Sequence, residues 1–315
     1  MSPEPIAVVT GGAGFIGSHL VEALLREGLA VRVVDDFSSG KLENLAKYSG
    51  RIGVIEAELA NFADCERAAK GATFVFHLAA IPSVPRSIVE PLASHASGPT
   101  ATLNMLEASR HAGVRRFLFA ASSSAYGDTE VLPKHEDMLP RPLSPYAAGK
   151  LAGEHYVRAY AQSMGLDGAS LRYFNIFGPR QDPSSPYSGV ISLFARLMRE
   201  GRRPMILGDG MQSRDFTYVD NAVLANLLAM KAERPLGGEV FNVGTGRRVT
   251  LRQLVEELNR ALGTSIEPEF GPERAGDVKH SQASLDRIQE VLGYRPVVDF
   301  EDGLRRTIAA EVPSP

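Results

Sequence analysis

The 315-residue chain has no tryptophan and a single cysteine, Cys65. One thiol cannot close an internal disulfide or supply half of a thiolate metal site, which excludes a disulfide-stapled secreted scaffold. Cys65 is expected to serve packing. An excess of one charge is also missing: 34 Lys and Arg stand against 37 Asp and Glu, for a net charge of −3. Nucleic-acid binding draws on a basic surplus that this chain lacks, so no such partner is expected. No apolar run reaches the ~18 residues of a membrane span. The opening MSPEPIAVV carries no cationic stretch ahead of its apolar residues, and a cytoplasmic protein without a membrane partner is expected. Repeats of fixed period and low-complexity segments are absent. The histidines, His19, His77, His95, His111, His135, His155 and His280, show no ligand-type spacing, so no metal is expected.

What is present is a globular balance, 44% hydrophobic and 23% charged, in a length suited to one large domain or a large domain with a smaller partner. Short β-branched runs at Ile6 to Thr10, Ala30 to Asp35, Gly53 to Glu56, Thr73 to Leu78 and Arg115 to Ala121 alternate with amphipathic stretches. The stretches Phe15 to Glu27, Leu42 to Lys47, Phe62 to Lys70 and Leu92 to His111 can serve as crossovers. Apolar runs of this kind suit strands covered on both faces, which predicts an α/β fold with a doubly wound, Rossmann-type parallel sheet. Two helices are longer, one ending near His111 and one from Pro145 to Met164. They pair either across a homodimer, the reading preferred here, or over one face of a monomer's sheet.

After Arg172 the residues Gly178, Pro179, Pro183, Pro186 and Gly189 mark a loop. A helix at Val190 to Glu200, a strand at Pro204 to Leu207, a helix at Val219 to Lys231, a strand at Glu239 to Val243 and a helix at Leu251 to Leu262 follow. This predicts a nucleotide-binding domain over 1–174, to which some later segments return, and a smaller, interleaved substrate lobe over 175–315.

The first strand runs straight into Gly11, Gly12, Ala13, Gly14, Phe15, Ile16 and Gly17. A glycine turn feeding a helix N-terminus offers unpaired amides and the positive end of the helix dipole to a phosphate. The spacing Gly-x-x-Gly-x-x-Gly departs from the Gly-x-Gly-x-x-Gly dinucleotide fingerprint. Asp35 closes the second strand where an acid receives the adenosine ribose, and the adjacent Asp36 would repel a 2′-phosphate, which favours NAD over NADP. Asp36 taken alone reads equally as a loop charge or a cap.

Tyr146 and Lys150 stand four apart on one helix face, so a cation can act on a phenol. Positive charge from Lys150 and from an oxidised nicotinamide would lower the tyrosine from its ordinary ~10. The preceding strand ends in Ser122, Ser123 and Ser124 at the carboxyl edge where such sheets bind ligands.

The ordered set VVTGGAGFIGSH, VVDDFSSG, FHLAA, FAASSSAYGD, SPYAAGK, RYFNIFGPRQDP, GDGMQSRDFTYVDN, FNVGTG and ERAGDVKHS resembles the extended short-chain dehydrogenase/reductases. Within them it resembles the UDP-hexose 4-epimerases, over nearly the whole chain. The resemblance implies a catalytic set of Tyr146, Lys150 and Ser122, with Ser123 the other candidate. It implies NAD held by Gly11, Gly14, Phe15, Ile16, Gly17, Asp35, Asp36, Ser38, Ser39, Gly40, Glu58, Leu59, Leu78, Ala79, Ala80, Ala120, Tyr146, Lys150 and Tyr173. A UDP-sugar would meet Ser83, Ser122, Ser123, Tyr146, Asn175, Arg214, Arg274, Asp277 and Ser281. The two arginines would grip the diphosphate.

Hexose-restricted relatives have a tyrosine where this chain has Ser281, so room for an N-acetyl group is implied. Departures occur at Glu58, where an aspartate is usual, and at Gly98, where an asparagine is usual. Dehydratases of this group carry Asp-Glu where Ser123 and Ser124 stand. Glucuronate epimerases tend to carry an arginine at Asp182. A reductase or decarboxylase on the same scaffold, and a non-catalytic NAD-sensing protein, are the remaining readings.

Overall fold

Residues 4–182, 189–273 and 279–310 are described by the computed structural model. The strands are β1 Ile6–Thr10, β2 Ala30–Asp35, β3 Ile52–Glu56, β4 Phe74–His77, β5 Arg116–Ser122, β6 Gly168–Tyr173, β7 Ile176–Phe177, β8 Met205–Leu207, β9 Ser213–Arg214, β10 Thr217–Tyr218, β11 Glu239–Val243, β12 Val249–Thr250 and β13 Glu269–Gly271. The helices are α1 Phe15–Arg26, α2 Phe62–Ala69, α3 Val84–Val89, α4 Pro91–His95, α5 Ala101–His111, α6 Pro145–Ser163, α7 Val190–Arg199, α8 Val219–Lys231, α9 Leu251–Leu262, α10 Asp286–Leu292 and α11 Phe300–Ala310.

Seven strands form one parallel sheet in the order β11-β6-β5-β4-β1-β2-β3. Because neighbouring side chains on a strand point to opposite faces, β1 feeds two cores. Ala7 and Val9 pack with Leu20, Leu24 and Phe76 on the α1 and α8 side. Val8 packs with Met105, Leu106, Phe117 and Val157 on the α2, α5 and α6 side. A third core, around Phe177, Phe194, Ile206, Phe216, Leu254 and Phe300, belongs to the later segments.

The chain leaves β1 toward β2 and β3, then returns to β4 on the other side of β1. That reversal opens a crevice at the carboxyl ends of β1 and β4, the place where open α/β sheets take ligands.

Several elements differ from the expectation. Leu42–Tyr48 is 3₁₀-helical. The stretch expected as one helix from Leu92 is α4, a π-helical turn over Ala96–Thr100 and then α5, because Pro99 has no N–H to give to a regular helix. Strand β6 went unread since Gly168–Tyr173 holds no β-branched run, and α10 and α11 were not anticipated. Arg116 is buried and donates to the carbonyls of Ala229, Met230, Ala232 and Arg234, so it ties the end of α8 to β5. Cys65 is fully buried. Pro183 and Pro186 lie outside the described residues. No described helix is long and apolar enough to cross a membrane.

Candidate active site

At the end of β1 the backbone turns at Gly11 with φ +67°, a left-handed conformation that suits glycine. A Cβ on Gly17 would stand 2.1 Å from the Gly11 carbonyl oxygen, so the helix can start only if residue 17 has no side chain. Gly14 is the N-cap of α1 and no side chain caps its amides. Asp35 is buried at the end of β2; its carboxylate accepts from the Ala13 N–H at 2.9 Å and the Phe37 N–H at 3.0 Å. It therefore shapes the turn as well as facing the crevice, and burial pushes its pKa up. A Cβ on Gly40 would press to 2.7 Å of that carboxylate. Asp36 accepts from the Ser38 N–H and hydroxyl at 2.9 and 2.6 Å, which is the loop-cap role.

Ser38, Ser39 and Glu58 are exposed, Leu59 is buried, and Leu78, Ala79 and Ala80 are half-buried at the end of β4. The Leu78 and Ala79 N–H groups donate to the Thr10 hydroxyl at 3.1 and 3.2 Å. Uncapped amides, glycines that admit a close approach and a carboxylate beside them form a donor and acceptor set that fits a dinucleotide diphosphate and its ribose.

Helix α6 begins where Ser144 accepts from the Ala147 N–H at 3.2 Å and Pro145 takes the first helical position. Tyr146 and Lys150 then fall in its first two turns, against the end of β5. The Ser122 hydroxyl lies beside the Tyr146 phenol and works to lower its pKa. Ser122 Oγ accepts from the Ser124 N–H at 3.2 Å and hydroxyl at 2.8 Å, which leaves its own proton available to a further acceptor. Ser123 opens the following 3₁₀ turn.

Lys150 is buried. Its Nζ donates to the Ala120 carbonyl at 2.7 Å and lies 4.9 Å from the Phe119 ring centre. Burial pulls the amine down to about 8, with the Glu154 carboxylate opposing. From the protein's own groups, burial pushes the Tyr146 phenol up and the neighbouring Ser122 hydroxyl works against it.

His77, behind this group, is 2.8 Å from the Thr10 hydroxyl and 3.1 Å from that of Thr102. Burial, aided by the Lys150 charge, lowers it to about 3 and keeps it neutral. Gly98 lies in the π turn, and Pro99 approaches α6 so closely that a Cβ on Gly149 would be 3.1 Å from its ring.

On the substrate side, Asn175 follows β6 with φ +35° and is exposed; strained non-glycine backbone of this kind gathers at functional sites. The Tyr173 hydroxyl is buried and accepts from Asn226 at 2.7 Å. Ser83 caps α3 by accepting from the Arg86 N–H at 3.1 Å. Arg214 on β9 donates to the Ser213 and Lys279 carbonyls at 3.0 and 3.2 Å, while the Ser281 N–H donates to Ser213 at 3.0 Å. Arg214 and the buried Ser281 are thus neighbours in space. Arg274 and Asp277 lie outside the described residues.

The structure gives partners to four charged residues, of which only Asp182 is singled out by the sequence. Asp215 is fully buried and accepts from Thr245, Gly246 and Ala283, so it holds the FNVGTG turn against the Ser281 segment. Glu154 and Arg172, both buried, form a bidentate pair at 2.8 and 2.6 Å behind Lys150; the signal was the four-residue step from Lys150. Asp182 turns to Lys41 at 3.0 Å, a pairing that no local spacing reveals.

The comparisons agree on one family. A model of the NAD dependent epimerase/dehydratase family matches residues 7–244. A UDP-glucose 4-epimerase of Mycolicibacterium smegmatis is 40% identical over 309 residues, with 96% of each chain covered. A UDP-N-acetylglucosamine 4-epimerase from Methanobrevibacter ruminantium, solved with UDP-N-acetylmuramic acid, matches with a TM-score of 0.92 at 39% identity over 98% of both chains. A Thermus thermophilus UDP-glucose 4-epimerase complex with NAD matches with a TM-score of 0.87 at 37% identity, covering 97% of this chain and 98% of that one. The chain therefore belongs to the NAD dependent epimerase/dehydratase family.

Proposed function

We propose that the protein is an NAD-dependent UDP-sugar 4-epimerase that interconverts UDP-glucose with UDP-galactose and UDP-N-acetylglucosamine with UDP-N-acetylgalactosamine. The observation that carries this reading is the meeting of Ser122 and Tyr146 beside the buried cation Lys150, at the sheet edge next to an uncapped helix N-terminus. Bound NAD supplies a reversible hydride acceptor for C4 of the sugar. Tyr146 takes the proton of the 4-hydroxyl and later returns it, and Ser122 donates to O4 throughout. Lys150 keeps positive charge near the phenol and orients the nicotinamide ribose. The 4-keto sugar turns between the two proton transfers, so C4 is inverted with no net oxidation.

Arg214 and Arg274 hold the diphosphate during that turn, with Asn175, Ser83, Asp277 and Ser281 around the nucleotide and sugar. Residues beyond 174, apart from α8, β11 and α10, form most of the substrate lobe. A homodimer through α5 and α6 is supported by Leu103 and Tyr156, each 37% exposed on those helices. The glucuronate reading is disfavoured because Asp182 stands where glucuronate epimerases tend to carry an arginine.

Tyr146→Phe tests the mechanism: turnover of UDP-galactose should fall about 10²- to 10⁴-fold while bound NAD is retained. Full activity in this variant would refute the assignment, and a wild-type protein that binds NAD but epimerises no UDP-sugar would favour the NAD-sensing alternative.

A further inference from the structure

Two loops flank the glycine turn, and each is fastened to its base. On one side, the segment after β2 returns to Ala13, whose carbonyl accepts from the Lys41 N–H at 3.0 Å and from Asn44 Nδ2 at 2.8 Å. On the other, the segment after β7 reaches α1: the Pro179 carbonyl is 2.9 Å from His19 Nε2, and a Cβ on Gly178 would sit 3.5 Å from the Phe15 ring.

Ion pairs then join the two loops. Lys41 meets Asp182 at 3.0 Å. Glu22 of α1 is shared between Arg180 of one loop at 2.7 Å and Lys47 of the other at 3.0 Å. Partial burial alone would raise Glu22, but the nearby Tyr48 hydroxyl and the ion pairs with Arg180 and Lys47 pull it down to about 2, so it is ionised at neutral pH. Arg180 is held at φ +67°, a left-handed backbone that a non-glycine residue adopts only when its surroundings over-determine it.

We propose that Glu22 and the Lys41–Asp182 pair form a two-rung clasp that closes both loops about the glycine turn and slows release of the dinucleotide bound there. The proposal rests on the NAD-dependent reading above. A reaction that returns its hydride leaves the cofactor unchanged after each cycle, so a slow release hinders nothing. The rungs differ in kind. Side-chain exposures of 54% and 37% put Lys41–Asp182 in solvent, where salt screens it. Glu22 and Arg180, at 16% and 19%, are shielded.

The test is the rate at which the holoprotein loses NAD after dilution, with the released nucleotide quantified by chromatography, at low and high salt. Lys41→Met and Asp182→Asn should each release NAD about two- to five-fold faster at low salt and lose most of the wild type's salt sensitivity. The reversed pair, Lys41→Asp with Asp182→Lys, should recover most of the retention, which a merely structural role would not produce. Glu22→Gln should release it about ten-fold faster at either salt, since it removes a shielded charge shared by both loops. Wild-type release rates in every variant, or a reversed pair as fast as the single variants, would overturn the clasp. A wild-type protein that binds no NAD would overturn the functional reading itself, and the clasp with it.

Discussion

Replacing Gly17 by alanine puts the first turn of α1 to a direct test. The added Cβ would lie 2.1 Å from the Gly11 carbonyl oxygen and 2.8 Å from the Gly12 Cα. Both are backbone atoms of a turn that is itself held from two sides, by the Gly11 N–H on Val34 at 2.8 Å and by the Ala13 N–H on Asp35 at 2.9 Å. Neither can rotate away as a flexible side chain would, so α1 must retreat by about 1 Å to reach ordinary contact. A retreat of that size takes amide donors out of the narrow 2.7–3.2 Å range of a good hydrogen bond. Losing two bonds to a charged phosphate, at about 1.5–3 kcal/mol each, weakens NAD binding by about 10²- to 10⁴-fold.

The assay is NAD content of the purified protein together with a binding isotherm. Urea unfolding serves to separate this from gross destabilisation, for which overpacking predicts about 1–3 kcal/mol. Gly28→Ala is the control, with φ +78° and nothing within 4 Å of its added Cβ; it should lose about 1 kcal/mol of stability and leave NAD binding intact. A Gly17→Ala protein that carries a full complement of NAD would refute the argument that this turn cradles the cofactor.

Two further outcomes follow from the site. Ser281→Tyr should abolish turnover of UDP-N-acetylglucosamine before that of UDP-glucose, and equal losses on both, measured with the two substrates in parallel, would contradict the pocket argument. His77 is held neutral down to about 3 in the folded state against ~6.5 when unfolded. The unfolded chain therefore binds the extra proton, and the stability present above pH 6.5 is lost as pH falls toward 3, by about 1.4 kcal/mol per unit. Urea unfolding between pH 7 and 4 should show that slope diminished in His77→Gln, and an unchanged slope would sink the assignment.

The doubly wound sheet was readable because its strands are short apolar runs and its crossovers amphipathic, a pattern written residue by residue along the chain. Strand β6 was the exception, since Gly168–Tyr173 carries its strand character only through pairing with β5 and β11. Strand β11 follows the second-lobe segments in the chain, yet it forms the edge of the main sheet beside β6. Sequence spacing says where a strand is, while its neighbour depends on which edge remains open when the chain returns.

The chemistry divides the same way. Local spacing determined the glycine turn, the Tyr146 and Lys150 face and the carboxyl-edge serines, because each is confined to a few consecutive residues. Tertiary structure alone decided that Ser122 meets Tyr146, that Lys150 donates to the Ala120 carbonyl, and that burial raises the phenol. It also decided the partners of Asp215, Glu154 and Glu22. Those pairings span long stretches of chain, and a pKa depends on burial and on neighbours brought together by folding, which no window of sequence contains.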